Sequence, residues 1–179
     1  MRPVLLTTTA LALMLSATPA EASKRGWAKA SDISRDLVVG FSLALPAYHG
    51  DWRGLGSTGL ALGVTGAATA GLKYAIPETR PDGSDRKSFP SGHTSISFAA
   101  AASLHKRYGW QAGLPAYALA SFTGLARVKA DKHYVHDVIA GAALGTAGGW
   151  LLNSKRNDKV EWLPWASHKG GGVSLSMRF

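Results

Sequence analysis

The stretch GLALGVTGAATAGLK, residues 59–73, stays uncharged until its last residue and sets Gly59, Gly63, Ala67 and Gly71 four apart. A second stretch, GAALGTAGG at residues 141–149, does the same with Gly141, Gly145 and Gly149. A four-residue interval keeps side chains on one face of an α-helix. Each glycine weakens an isolated helix by about 1 kcal/mol relative to alanine. Repeating that cost at helical spacing predicts faces where two backbones approach closely, as in membrane helix pairs or a tightly packed soluble bundle.

Working outward, residues 31–154 show no sustained two-residue alternation, which argues against strands. Five helices are predicted. The first is capped by Ser31 or Asp32 and runs to about residue 44, ahead of Pro46. The second covers residues 54–75, and the third runs from a Ser91 cap to about residue 106. The fourth has Pro115 near its first turn and reaches about residue 128. The fifth covers residues 134–152. The fold class is therefore an all-α bundle of about five or six helices. After it comes a polar stretch with Trp162 and Trp165, then Val173, Leu175, Met177 and Phe179 alternating with Ser174, Ser176 and Arg178. That alternation predicts a short β-like tail resembling the last strand of outer-membrane barrels. One strand cannot close a barrel, so it reads as an edge strand or loose tail.

The other end of the sequence reads as an address. Arg2 precedes an apolar run over residues 4–16, too short to span a bilayer comfortably, and Ala20-Glu21-Ala22 offers a cleavage site. The expected organisation is a signal peptide over residues 1–22, a helical domain over 23–154 and a tail over 155–179. The helical domain then works outside the cytoplasm, in the periplasm. It is expected there as a soluble, membrane-associated or membrane-integral protein. Two uncharged runs, 54–72 and 108–126, are long enough to span a membrane. The mean hydropathy of +0.01 is nevertheless low for a multi-span protein and favours a soluble or membrane-associated bundle.

Composition narrows the chemistry. Hydrophobic residues make up 46% and charged residues 17%, which excludes a disordered or fibrous chain. No cysteine is present, so thiolate metal sites, iron–sulfur clusters and cysteine nucleophiles are excluded. A net charge of +9 favours anionic partners. The basic residues form no aromatic-interleaved stripe, which argues against nucleic acid.

Three clusters carry candidate chemistry. Lys73 and Arg80-Pro81 bracket the end of the second helix. Pro90-Ser91-Gly92-His93 opens the third. Arg127 ends the fourth, and His133 and Asp137 open the fifth. A helix N-terminus carries roughly +0.5 charge and unpaired amides that welcome an anion, and Gly92 lets a ligand come close. His93 stands next to that position as a proton donor. His133 and Asp137, four apart, share a helix face. A carboxylate on one imidazole nitrogen leaves the other free as nucleophile or base. Lys73, Arg80 and Arg127 are fixed cations suited to phosphoryl oxygens. His93, His133, His136 and Asp137 could alternatively compose a zinc site, against the repulsion of the surrounding lysine and arginine.

Taken in order, Lys73–x6–Arg80-Pro81, Pro90-Ser91-Gly92-His93 and Arg127–x5–His133–x3–Asp137 resemble the three-part signature of the PAP2 superfamily. That superfamily embraces type 2 phosphatidic acid phosphatases, bacterial acid phosphatases and vanadium haloperoxidases. The resemblance implies the helical PAP2/haloperoxidase fold and a metal-independent phosphatase without cofactor. The implied substrates are phosphomonoesters or lipid phosphates and diphosphates. It assigns His133 as nucleophile through a phosphohistidine, Asp137 as its orienting carboxylate and His93 as general acid. It assigns Lys73, Arg80, Ser91, Gly92 and Arg127 to phosphate binding. The family usually has serine before the third-motif arginine; here Ala126 stands there, which removes one phosphate hydrogen bond. Two alternatives follow from the same residues: a vanadate-dependent haloperoxidase, and a catalytically weakened anion-binding helical protein.

Overall fold

The computed structural model describes residues 23–156, 160–167 and 170–177. Five helices account for most of them: α1 (Lys24–Tyr48), α2 (Trp52–Ala75), α3 (Gly92–Tyr108), α4 (Trp110–Lys129) and α5 (Val135–Leu152). The all-α expectation holds. The proposed signal peptide lies outside the described residues.

Helix α3 is central and packs against all four others. Its sequence explains why. The run Ala99–Ala102 is fully buried, with Leu104 beside it and Val38, Ala116 and Ala120 packed around. Small side chains on α3 let neighbouring helices come close, and α5 comes closest. A Cβ placed on Gly141 would lie 2.7 Å from the Ser91 carbonyl oxygen, on Gly145 2.1 Å from that of Ser95, and on Gly149 2.6 Å from that of Ala99. The α5 glycine stripe is thus the close-contact face its spacing predicts. The α2 stripe is not: Gly59, Gly63 and Gly71 have nothing within 4 Å of an added Cβ. Helix α2 instead buries Gly54, Thr58, Ala61, Thr65 and Thr69, a neighbouring stripe spaced three or four residues apart.

Three boundaries differ from expectation. Helix α1 begins seven residues before Ser31, capped by Ser23, whose hydroxyl accepts from the Gly26 amide at 3.1 Å. Ser31 and Asp32 are therefore interior residues rather than caps. Pro46 lies within the last turn of α1 and Pro115 within α4. Ser91 occupies the N-cap position of α3 but makes no side-chain cap bond, because its hydroxyl accepts from Thr94 Oγ1 at 2.9 Å.

At the end of the bundle away from His93 and His133, Arg107 is clamped by both carboxylate oxygens of Asp51 and donates to the Ser154 carbonyl at 3.2 Å. Tyr108 donates to the same carboxylate at 2.8 Å. This buried pair ties the α1–α2 turn to α3 and to the chain leaving α5. Beyond it, β1 (Val160–Ser167) pairs antiparallel with β2 (Gly170–Met177), Val160 opposite Met177. The expected β-like tail is present, and its strand β2 pairs with β1, a partner the alternation did not reveal.

Candidate active site

The three sequence clusters meet at one end of the bundle. The α3–α5 contact fixes the meeting: the Ser91 amide donates to the Asp137 carbonyl at 3.0 Å, so the start of α3 lies against the first turn of α5. Asp137 is fully buried there. Its Oδ2 accepts from Ser88 Oγ at 2.5 Å and from the Tyr134 amide at 2.9 Å, and lies 3.4 Å from His133 Nδ1. His133, in the α4–α5 loop, is 2% exposed. Its other nitrogen, Nε2, faces Arg80 Nη1 at 3.2 Å.

This arrangement assigns the ring. Arginine has only hydrogens to offer, so Nε2 presents its lone pair and Nδ1 carries the proton toward Asp137. Burial, with the Arg80, Arg127 and Lys73 cations, pushes His133 down to about 3, and Asp137 opposes that shift. The imidazole is neutral at ordinary pH with its lone pair on Nε2.

The cations occupy distinct posts. Arg80 donates from Nε to Asp85 at 2.8 Å and from Nη1 to the Lys132 carbonyl at 3.1 Å. Arg127 is buried at the end of α4, donates to Ser31 Oγ at 3.4 Å and leaves its buried Nε without a partner among the described residues. Leaving a buried charged donor unpaired costs free energy that an incoming anion would recover. Lys73 reaches the loop ahead of α3, donating to the carbonyls of Lys87 at 2.7 Å, Ser88 at 3.2 Å and Pro90 at 2.6 Å. The structure therefore gives Lys73 and the Ser91 amide protein partners of their own. The first-turn amides of α3, beginning with Gly92 and His93, have no intrahelical acceptor.

His93 meets residues that sequence reasoning missed. Its Nε2 is 2.6 Å from Asp32 Oδ1 and 2.7 Å from Arg35 Nη1, both on α1. Ser31, Asp32 and Ser88 all touch site residues yet lie outside the three motifs. The buried series Ser31, Ser34, Val38 and Ser42, three hydroxyls and a valine at helical spacing, is the signal that could have shown which face of α1 turns toward the site. Ala126 is fully buried and places a methyl group, not a hydroxyl, beside Arg127 in the sequence.

One cluster could hold a metal ion. Donor atoms of Glu78, His136 and Asp137 lie within 4.8 Å of one another. His136 Nε2 contacts Glu78 Oε1 at 2.9 Å and Asp137 Oδ1 at 3.3 Å. A cation there would draw on the carboxylate that serves His133. The zinc set weighed from sequence included His93 and His133, which turn to other partners.

Two histidines, a buried carboxylate and two arginines thus converge from motifs in the order Lys-Arg, Ser-Gly-His, Arg-His-Asp, and a family model described as the PAP2 superfamily matches residues 54–161. The chain belongs to the PAP2 superfamily. Among proteins similar to this PAP2 chain, a lipid A 1-phosphatase from Porphyromonas gingivalis is 38% identical over 98 residues, 53% of this chain and 22% of that protein. A lipid A 4'-phosphatase from Helicobacter pylori is 32% identical over 124 residues, 63% of this chain and 62% of that one. The chain therefore matches less than two thirds of the length of either relative. The crystal structure of Aquifex aeolicus LpxE superposes with a TM-score of 0.64 over 81% of this chain and 93% of that one, at 19% identity, a likeness of fold.

Proposed function

We propose that this PAP2 protein is a membrane-embedded phosphatase that removes phosphate from a lipid-borne phosphomonoester through a phosphohistidine. The observation that carries the reading is the setting of His133: Nε2 faces Arg80 at 3.2 Å, and Nδ1 lies 3.4 Å from buried Asp137, close to it but short of a hydrogen bond. The ring's lone pair thus points at a cation suited to a phosphoryl oxygen.

In the proposed reaction, Arg80, Arg127 and the Gly92 and His93 amides take the phosphoryl oxygens. Lys73 adds charge and holds the Lys87–Pro90 carbonyls in shape, and Ser91 fixes α3 against Asp137. His133 Nε2 attacks phosphorus as Arg80 shifts to an equatorial oxygen. The P–N bond forms, the P–O bond breaks with its electron pair on the leaving oxygen, and His93 protonates that oxygen. Asp137 stabilises the positive charge on His133. Water then attacks phosphorus, His93 takes its proton, and the P–N pair returns to Nε2. Phosphoryl transfer needs chiefly positioning and charge stabilisation, which these fixed cations supply.

The lipid substrate rests on two supports. The similar proteins are named for lipid A, and the bundle's outward faces are apolar. Leu37, Leu60, Leu114, Leu125, Ile139 and Leu151 are all more than half exposed, while the interior holds Ala, Ser, Thr and Gly. Helices α2 and α5 are long and apolar enough to cross a membrane, and only 22% of each apolar window is buried inside the protein. A soluble core helix would bury most of such a window. With residues 1–22 read as a signal peptide, the site works on the periplasmic side.

The test uses carbonate-washed membranes from cells making the chain. The chain and its activity should both stay in the membrane fraction and release phosphate from a lipid phosphomonoester with EDTA present. Release of the chain by carbonate, or strict dependence on an added divalent cation, would contradict the reading.

A further inference from the structure

The general acid in the proposed reaction needs its proton placed as carefully as the nucleophile needs its lone pair. His93 has two nitrogens and only one is engaged: Nε2 faces Asp32 and Arg35, whereas Nδ1 has no protein partner among the described residues. Arginine offers only hydrogens and an ionised carboxylate only acceptors. Asp32 therefore meets the ring when Nε2 carries a proton, and Arg35 meets it when Nε2 is bare. Arg127 also faces this site, 4.0 Å from Asp32 Oδ1. Burial first, then Arg127 and Arg35, disfavour a proton on the ring and hold it down to about 4, and Asp32 opposes them.

We propose that Asp32 is the positioning carboxylate of His93, holding Nε2–H so that the ring gives and recovers its working proton through Nδ1. The inference rests on the phosphatase reading above. It makes the site a pair of His–Asp dyads, one for the nucleophile and one for the acid, with the second carboxylate supplied by α1. The charged ring carries protons on both nitrogens. As the P–O bond breaks, the Nδ1 proton passes to the leaving oxygen, and the neutral ring stays on Asp32 through Nε2–H. When water attacks the phosphohistidine, Nδ1 takes a proton from it and the ring is recharged. Arg35 is oriented by Asp36, to which its Nε and Nη2 both donate at 2.8 Å, leaving Nη1 against the ring. It acts as the counterweight that keeps the ring from binding its proton too firmly.

The experiment compares Asp32→Asn, Asp32→Glu and Arg35→Gln with the wild-type chain on two esters. An alkyl phosphate has a leaving oxygen that needs a proton; p-nitrophenyl phosphate does not. Asp32→Asn should lower kcat about tenfold or more on the alkyl ester and less than about threefold on the nitrophenyl ester, with little change in KM. Asp32→Glu should restore part of the loss. In 15N-histidine NMR of the same proteins, the His93 titration midpoint should fall in Asp32→Asn and rise in Arg35→Gln. Equal losses on both esters, or a His93 midpoint that stays put in Asp32→Asn, would overturn the proposal. The NMR arm separates the two failures. A wild-type chain that cleaves neither ester would end the phosphatase reading, yet the midpoints would still pass or reject the Asp32–His93 pairing. Because Asp32 is about half exposed, its variants leave the packed interior intact.

Discussion

His133 shows how burial sets chemistry at a single residue. An imidazole in water takes a proton near pH 6.5. Here loss of solvent and three nearby cations hold it to about 3, against the pull of Asp137. The sign follows. Below pH 6.5 the unfolded chain gains a proton at this position and the folded chain does not, so stability falls as pH drops through that window. In 15N-histidine NMR of the phosphate-free protein, His133 should remain neutral through pH 5, and a midpoint near 6.5 would contradict the buried, cation-flanked ring. The residues of this dyad were legible in the sequence because His133 and Asp137 sit one helical turn apart in a recognisable spacing. Ser88 and Asp32 were not. Each reaches the site from a different segment, and no local periodicity reports a contact made across 49 or 61 positions.

At the scale of the helix, spacing identified stripes but not the side each one faces. The stripes on α2 and α5 look alike in sequence, yet only that of α5 lies against another backbone. The difference comes from what flanks them: α2 can turn Thr58, Thr65 and Thr69 inward, and α5 has only glycine narrow enough for α3. Gly145→Ala should therefore destabilise the bundle by about 1–3 kcal/mol, since its Cβ would fall 2.1 Å from a carbonyl oxygen that the α3 backbone cannot readily withdraw. Gly63→Ala should be neutral or stabilising by up to about 1 kcal/mol, through helix propensity alone. Thermal unfolding of the two variants in the same detergent checks the contrast, and equal effects would contradict the packing. Helix ends were read less well. Polar residues that cap elsewhere, such as Ser31 and Asp32, here serve the interior of a longer α1. The hairpin partner β1 was missed because Trp162, Pro164 and Trp165 break its alternation.

For the whole molecule, the decisive feature is an inversion: small and hydroxyl-bearing side chains inside, large apolar ones outside. Mean hydropathy conceals this, because it averages a polar interior and a charged site end with an apolar girdle. The same inversion lets five helices of modest length approach closely and bring α1, α3, α4 and α5 to one cluster of charges. In the proposed reaction this cluster transfers phosphate through the Nε2 atom of His133. Rapid quenching of the enzyme during turnover, followed by mass mapping under alkaline conditions, tests it most directly. An acid-labile phosphate on the peptide carrying His133, absent from His133→Ala, is the predicted result; steady phosphate release with the label on another residue, or sustained turnover by His133→Ala, would contradict it.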